Sequence, residues 1–136
     1  MTTIPDGVPV YVIDDDTGML DSMSFLLGSL GIPSKHFADP FTFLQTLDSL
    51  RPGCVLTDLR MPTMTGLELN RELAARKIDW PVVLMSAHLD SEASADARDC
   101  GVTDVIQKPF TVARLKAVLG RALSRLSGSI QEVQAD

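Results

Sequence analysis

Five side chains able to do chemistry fall where short apolar runs stop. Asp58 follows Cys54-Val55-Leu56-Thr57, and Asp14 and Asp15 follow Val8-Pro9-Val10-Tyr11-Val12-Ile13. Ser86 follows Val82-Val83-Leu84-Met85, and Lys108 follows Asp104-Val105-Ile106-Gln107. A carboxylate at the carboxyl end of a buried strand sits where open α/β sheets bind ligands. As a nucleophile, Asp58 would accept a phosphoryl group, a reaction governed by positioning and charge stabilisation. Asp14 and Asp15 beside it would repel its charge and raise the carboxyl pKa values unless a cation lay among them. Oxygen-only donors suit a hard divalent ion, and Mg²⁺ binds through one or two carboxylates plus waters and phosphate oxygens. Lys108 would add a second positive charge from the opposite side.

Each residue also has a plainer reading when taken alone. An Asp at a strand end is usually a loop residue or a helix cap, and Asp16 reads best as a cap. A lone Ser86 or Lys108 would be a strand terminator or a solvated rim charge. Convergence at one sheet edge is what favours the chemical reading. Arg60 and His88 lie two residues beyond Asp58 and Ser86, on loops that would overhang a phosphoryl group and tune its lifetime. Their plainer reading is a solvated guanidinium and a surface imidazole. Asp96 and Asp99 read as the solvated face of a helix.

The elements that must position these groups alternate along the chain. The β-branched run from Val8 to Ile13 suits a strand buried on both faces. Met19, Leu20, Met23, Leu27 and Leu30 then recur at helical spacing, with Asp16 or Thr17 as N-cap and Gly31 closing the helix. A short strand runs from Ile32 to Phe37, and Asp39-Pro40 starts a helix carrying Phe43, Leu44, Leu47 and Leu50. Arg51-Pro52-Gly53 breaks it before the strand that ends at Asp58. Gly66 to Lys77 is the next helix, with Leu69 and Leu73 facing inward. The strand from Val82 to Met85 leads to a helix from Asp90 to Cys100, ended by Gly101. After the strand of Asp104 to Gln107, Thr111 caps a helix with Val112, Leu115, Leu119, Ala122 and Leu126 on one side.

This pattern predicts a flavodoxin-like (βα)5 fold, a three-layer sandwich with a parallel sheet in order 2-1-3-4-5. Residues 1–7 read as an N-terminal extension, 8–126 as one domain, and 127–136 as a linker or C-terminal tail.

Composition narrows the function classes. A chain of 136 residues with net charge −6 lacks the basic face that direct nucleic-acid binding needs. No apolar run approaches a membrane span of about 20 residues, and residues 1–7 lack signal-peptide character. Cys54 and Cys100 lack metal-ligand spacing and read as reduced, buried thiols. The expectation is a cytoplasmic domain.

Together, Asp14-Asp15-Asp16, Thr57-Asp58-Leu59-Arg60-Met61-Pro62 with Gly66, Ser86-Ala87 and Lys108-Pro109-Phe110 resemble the receiver domain of two-component response regulators. The match runs from about Val8 to Leu126, and the Asp-Leu-Arg-Met-Pro wording looks most like receivers joined to helix-turn-helix outputs. The resemblance implies Asp58 as phosphoacceptor, with Ser86 and Lys108 on the phosphoryl oxygens. Mg²⁺ would bind Asp15, Asp58 and the Arg60 backbone carbonyl, with Asp14 acting through water. Lys108-Pro109 becomes a candidate cis peptide, since cis bonds are essentially confined to X-Pro. The implied partner is a histidine kinase or phosphotransfer protein, with homodimerisation common in the family. The domain would be no enzyme beyond gaining and losing its own phosphoryl group.

Two departures bear on signalling. The family usually carries Tyr or Phe three residues before the Lys, as a ring that turns inward on activation; here Val105 occupies that switch position. The helix of 90–100 offers only Ala as apolar contact before Cys100, so packing contributes little to holding it. Other functional classes fit less well. A phosphohydrolase would need a second acid where Arg60 stands, and a flavodoxin-like cofactor binder would place phosphate against Asp14-Asp15-Asp16. A stand-alone relay or an unphosphorylated interaction module would share the fold without a DNA-binding output.

Overall fold

The computed structural model describes residues 7–87 and 101–135. Strands β1 (Val10–Ile13), β2 (Ser34–Phe37), β3 (Cys54–Asp58), β4 (Val82–Ser86) and β5 (Asp104–Gln107) form one sheet in order 2-1-3-4-5. All neighbouring pairs are parallel. β1 and β4 are buried throughout and β3 up to Asp58, as strands covered on both faces must be.

Helices α1 (Thr17–Ser29), α2 (Pro40–Thr46), α3 (Gly66–Ala75) and α4 (Val112–Ala135) supply the covers. On one face α1 and α4 bring Met23, Leu27, Leu115 and Leu119 against Val10, Val12, Leu56 and Met85. On the other, α2 and α3 bring Phe43, Leu44, Leu69 and Leu73 against Tyr11, Ile13, Val55 and Leu84. Successive residues of β1 thus serve opposite layers, as the period of two requires. The predicted order, topology and three-layer arrangement are all found. The helix expected over 90–100 lies outside the described residues, as do Cys100, Asp96 and Asp99.

Local chemistry explains most helix ends. Asp16 accepts hydrogen bonds from the Gly18 and Met19 amides, the cap expected of it. Gly31 closes α1 at φ 73°, a left-handed conformation that glycine adopts without a Cβ penalty. Asp39 caps α2 through the Phe41 amide, with Pro40 in the first turn. Thr65 and Glu68 form a reciprocal capping box on α3.

Several boundaries differ from the sequence reading. β1 starts at Val10 because Pro9, which has no amide hydrogen, interrupts the run. β2 starts at Ser34 because the Ile32 amide still bonds Leu27 at the end of α1. The helix begun at Asp39-Pro40 tightens into a 3₁₀ turn at Leu47–Ser49. α3 stops at Ala75, and the Lys77 backbone sits at φ 61°. Val112, on the same side of the helix as Leu115, is 47% exposed in the first turn of α4, before the first fully buried position at Leu115. α4 also continues through Ala135, beyond Leu126, the last residue assigned to the final helix from sequence. Among the described residues, no helix is long and apolar enough to cross a membrane.

Candidate functional site

Register brings the chemical residues to one rim. Ile13 pairs with Thr57, Asp58 with Met85, and Ser86 with Gln107. The ends of β1 and β4 therefore flank the end of β3, with the end of β5 one strand further out. Asp14, 1% exposed, is the buried floor of the cluster, Asp58 is partly buried, and Asp15 is exposed. One carboxylate oxygen from each of the three lies within 4.8 Å of the others.

Lys108 spans this cluster. Its ammonium donates to Asp14 Oδ2 at 3.0 Å and to Asp58 Oδ1 at 3.3 Å. The second Asp14 oxygen accepts from the Asp16 amide at 3.0 Å, so the buried carboxylate is paired on both sides, as a buried charge needs. Burial alone would lower the Lys108 pKa, but its bonds to Asp14 and Asp58 outweigh that and hold it above the usual lysine value. Asp58 moves the other way from a usual salt-bridged acid. Burial raises its pKa, Asp14 and Asp15 add to the rise, and Lys108 offsets only part of it. Asp58 thus carries a carboxylate that gains from receiving positive charge.

The backbone around Asp58 is fixed from beneath. The Leu59 amide bonds Met85 O at 2.8 Å, and the Gly66 amide bonds Leu59 O at 2.9 Å. Leu59 and Met61 are both buried at 7% exposure while Arg60 between them faces solvent. The Thr57 hydroxyl, fully buried, donates to Asp58 O at 3.1 Å and lies 4.0 Å from Met61 Sδ. A Cβ on Gly66 would stand 2.7 Å from Asp58 O, so only glycine lets α3 approach this closely. Leu59 and Met61 hold the loop but were read only as part of a motif. Their apolar character and their position after a strand were the available signals.

Ser86 is buried at the end of β4, and its carbonyl accepts from the Lys108 amide at 2.8 Å. Lys108-Pro109 is a cis peptide, as anticipated. Val105 is half-buried against the α2–α3 layer. His88 lies outside the described residues. The structure therefore brings Asp14, Asp15, Asp58 and Lys108 into one cluster, with Ser86 at the end of the neighbouring strand and Arg60 exposed two residues beyond Asp58.

A family model for the response regulator receiver domain matches residues 10–120. The chain belongs to the response regulator receiver domain family. It is 40% identical over 114 residues to the transcriptional regulatory protein FixJ of Bradyrhizobium diazoefficiens, covering 84% of this chain and 56% of that protein. It is 34% identical over 114 residues to the response regulator protein TmoT of Ectopseudomonas mendocina, covering 84% of this chain and 52% of that one. The crystal structure of full-length FixJ from B. japonicum superposes with a TM-score of 0.85 at 35% identity, covering 93% of this chain and 63% of that one. This receiver spans little more than half the length of the curated relatives it matches.

An all-oxygen donor set of three converging carboxylates, with net negative charge left after Lys108, fits a hard divalent ion. Asp15 and Asp58 present accessible oxygens to it, whereas the oxygens of Asp14 are already engaged.

Proposed function

We propose that Asp58 is the phosphoacceptor of this receiver, charged by the phosphohistidine of a partner kinase or phosphotransfer protein. The observation that carries this reading is the Lys108 ammonium shared between Asp14 at 3.0 Å and Asp58 at 3.3 Å, inside a ring of carboxylates. The Asp58 carboxylate attacks phosphorus in line, the phosphorus–nitrogen bond to histidine breaks, and its electron pair leaves with the imidazole. An acyl phosphate on Asp58 results. Asp15, Asp58 and the Arg60 backbone carbonyl, with Asp14 through water, would hold Mg²⁺, which would supply positive charge for the phosphoryl oxygens.

Lys108 has a fixed second partner in Asp14, so it can leave Asp58 for a phosphoryl oxygen without losing its anchor. The Ser86 hydroxyl donates to another oxygen, and drawing both residues in biases the surface towards its active state. Water attacks the acyl phosphate in turn, and Arg60 and His88, each two residues beyond a site residue in the sequence, tune how soon. FixJ of Bradyrhizobium diazoefficiens is a transcriptional regulatory protein, and the output this receiver controls is read as transcriptional too.

Incubation with acetyl phosphate and Mg²⁺ should add one phosphoryl group by intact mass, and Asp58→Asn should remove it. Persistent labelling of the variant would overturn the assignment. In the same experiment the label on Arg60→Ala should decay at a different rate from wild type; an unchanged rate removes Arg60 from lifetime control.

A further inference from the structure

Among the described residues, three polar or charged side chains are buried: Asp14, Ser86 and Thr57. Asp14 holds Lys108, and Ser86 ends β4 beside the cluster. Thr57 has no such place and lies in apolar company. The period of two along β3 turns it, like Val55, towards the α2–α3 layer. Its partners across the sheet, Ile13 on β1 and Leu84 on β4, are fully buried members of that layer. Packing alone would be served by valine, which has the same branched shape and no hydroxyl to desolvate. The hydroxyl needs its own reason.

Its hydrogen bond supplies one. Thr57 Oγ1 donates to Asp58 O at 3.1 Å, and Met61 Sδ on the following loop lies 4.0 Å away. The carbonyl it reaches belongs to the peptide that joins Asp58 to Leu59. The other end of that peptide is held as well, since the Leu59 amide donates to Met85 O at 2.8 Å. α3 closes in on the same oxygen, where a Cβ on Gly66 would stand 2.7 Å away. A peptide unit is planar, so fixing its C=O and its N–H fixes its orientation. That orientation sets how the chain leaves β3, and with it where the Arg60 backbone stands relative to the Asp58 carboxylate.

We propose that Thr57 is a positioning residue for the divalent-ion site, acting through the Asp58–Leu59 peptide. This role rests on Asp58 being the phosphoacceptor and on Asp15, Asp58 and the Arg60 carbonyl being the ligands. Thr57 itself touches neither ion nor phosphoryl group. From the apolar side, its hydroxyl holds the stretch of backbone that would carry one side-chain and one main-chain ligand. Ligands already in place need no reordering when the ion arrives. Losing the hydroxyl should therefore weaken ion binding in a way that stability does not follow.

Thr57→Val keeps the branched shape and deletes the hydroxyl, whereas Thr57→Ser keeps the hydroxyl and deletes a methyl. Calorimetry gives the Mg²⁺ affinity of each unphosphorylated protein, and urea denaturation in metal-free buffer gives its stability. The valine variant should bind Mg²⁺ about fivefold more weakly, the scale of one hydrogen bond. The serine variant should stay within about twofold of wild type, although the missing methyl lowers its urea midpoint. In labelling by acetyl phosphate, the Mg²⁺ concentration for half the maximal rate should rise for valine and not for serine. Affinity then follows the hydroxyl.

Wild-type Mg²⁺ affinity in Thr57→Val would overturn this role while leaving Asp58 as phosphoacceptor. Equal weakening in both variants, in step with their urea midpoints, would make Thr57 a packing residue and overturn it too. A wild-type protein that takes up neither Mg²⁺ nor label would strike at the phosphoacceptor reading, and the role of Thr57 would fall with it.

Discussion

The two sides of β1 and β3 are built to opposite rules. On the α2–α3 face, Tyr11 packs with Phe43 at a centroid distance of 5.9 Å and stacks on Trp80 at 5.7 Å, and Phe37 meets Phe43 edge-on at 5.3 Å. The polar end of that cluster is satisfied: burial raises the Tyr11 pKa against the opposing pull of Arg51, and the hydroxyl donates to Arg51 O at 2.6 Å. At the carboxyl rim, two of three clustered carboxylates, Asp14 and Asp58, share one lysine, and the acid that matters is held above its ordinary pKa. The aromatic layer spends its contacts on stability, and the rim gives some stability up to hold charge ready for a ligand. Variants on the two sides should therefore separate folding from binding.

The largest effect belongs to the aromatic layer. Phe43 is fully buried, so Phe43→Ala opens a cavity and should cost about 3–4 kcal/mol in urea denaturation. The folded fraction should still bind Mg²⁺ with wild-type affinity by calorimetry. A parallel loss of affinity would mean that the two regions are coupled.

At the rim, Lys108→Ala leaves Asp14 buried without its cation, although the Asp16 amide remains. Loss of about 2 kcal/mol is expected, below the full cost of an orphaned buried charge because solvent reaches the cluster. Millimolar Mg²⁺ should restore part of this loss, since a ligand of the folded state stabilises by mass action. If added Mg²⁺ leaves the variant's midpoint unmoved, the carboxylates do not form a metal site. The Lys108 contribution in wild type is fully present below the ordinary lysine pKa. It is lost as pH rises through the higher folded value.

These contrasts also show which parts of the molecule the sequence reveals. The strand order and the convergence of Asp14, Asp15, Asp58, Ser86 and Lys108 were legible because each lies where an apolar run stops, and parallel crossovers leave few topologies. The dominance of Asp14 as the partner of Lys108 was not legible. It depends on Asp14 being buried while its neighbour Asp15 is exposed, a difference that an acidic triplet does not encode. The exposure of Val112 was not legible for a related reason: periodicity gives the face of a helix but not where the covering sheet ends.

A smaller effect tests the aromatic side again. Tyr11→Phe keeps the stacked ring and deletes only the bond to Arg51 O. It should cost about 1 kcal/mol, the net worth of one hydrogen bond, with the labelling of Asp58 unaffected. A cost near zero would mean that water replaces the hydroxyl at the Arg51 carbonyl.

The smallest effect has the opposite sign and distinguishes the two regions most directly. Because burial and the neighbouring Asp14 and Asp15 raise the Asp58 pKa, its folded form binds a proton more readily than its unfolded form. Between the ordinary carboxylate pKa and the raised one, the native state holds more protons, so stability falls as pH rises through that window. Above it, the ionised Asp58 costs stability continuously. Asp58→Asn removes the charge and keeps the shape, so without metal at neutral pH it should stabilise the fold by under about 1 kcal/mol. The gain is limited because Lys108 loses one of its two acceptors and solvent screens the rim. That advantage should vanish as pH falls below the Asp58 pKa, where wild type is protonated as well. Mg²⁺ should reverse it at neutral pH, stabilising wild type more than the variant. A variant less stable than wild type in metal-free buffer at neutral pH would show that the Lys108 pair outweighs burial, making the rim a stabilising element like the aromatic layer.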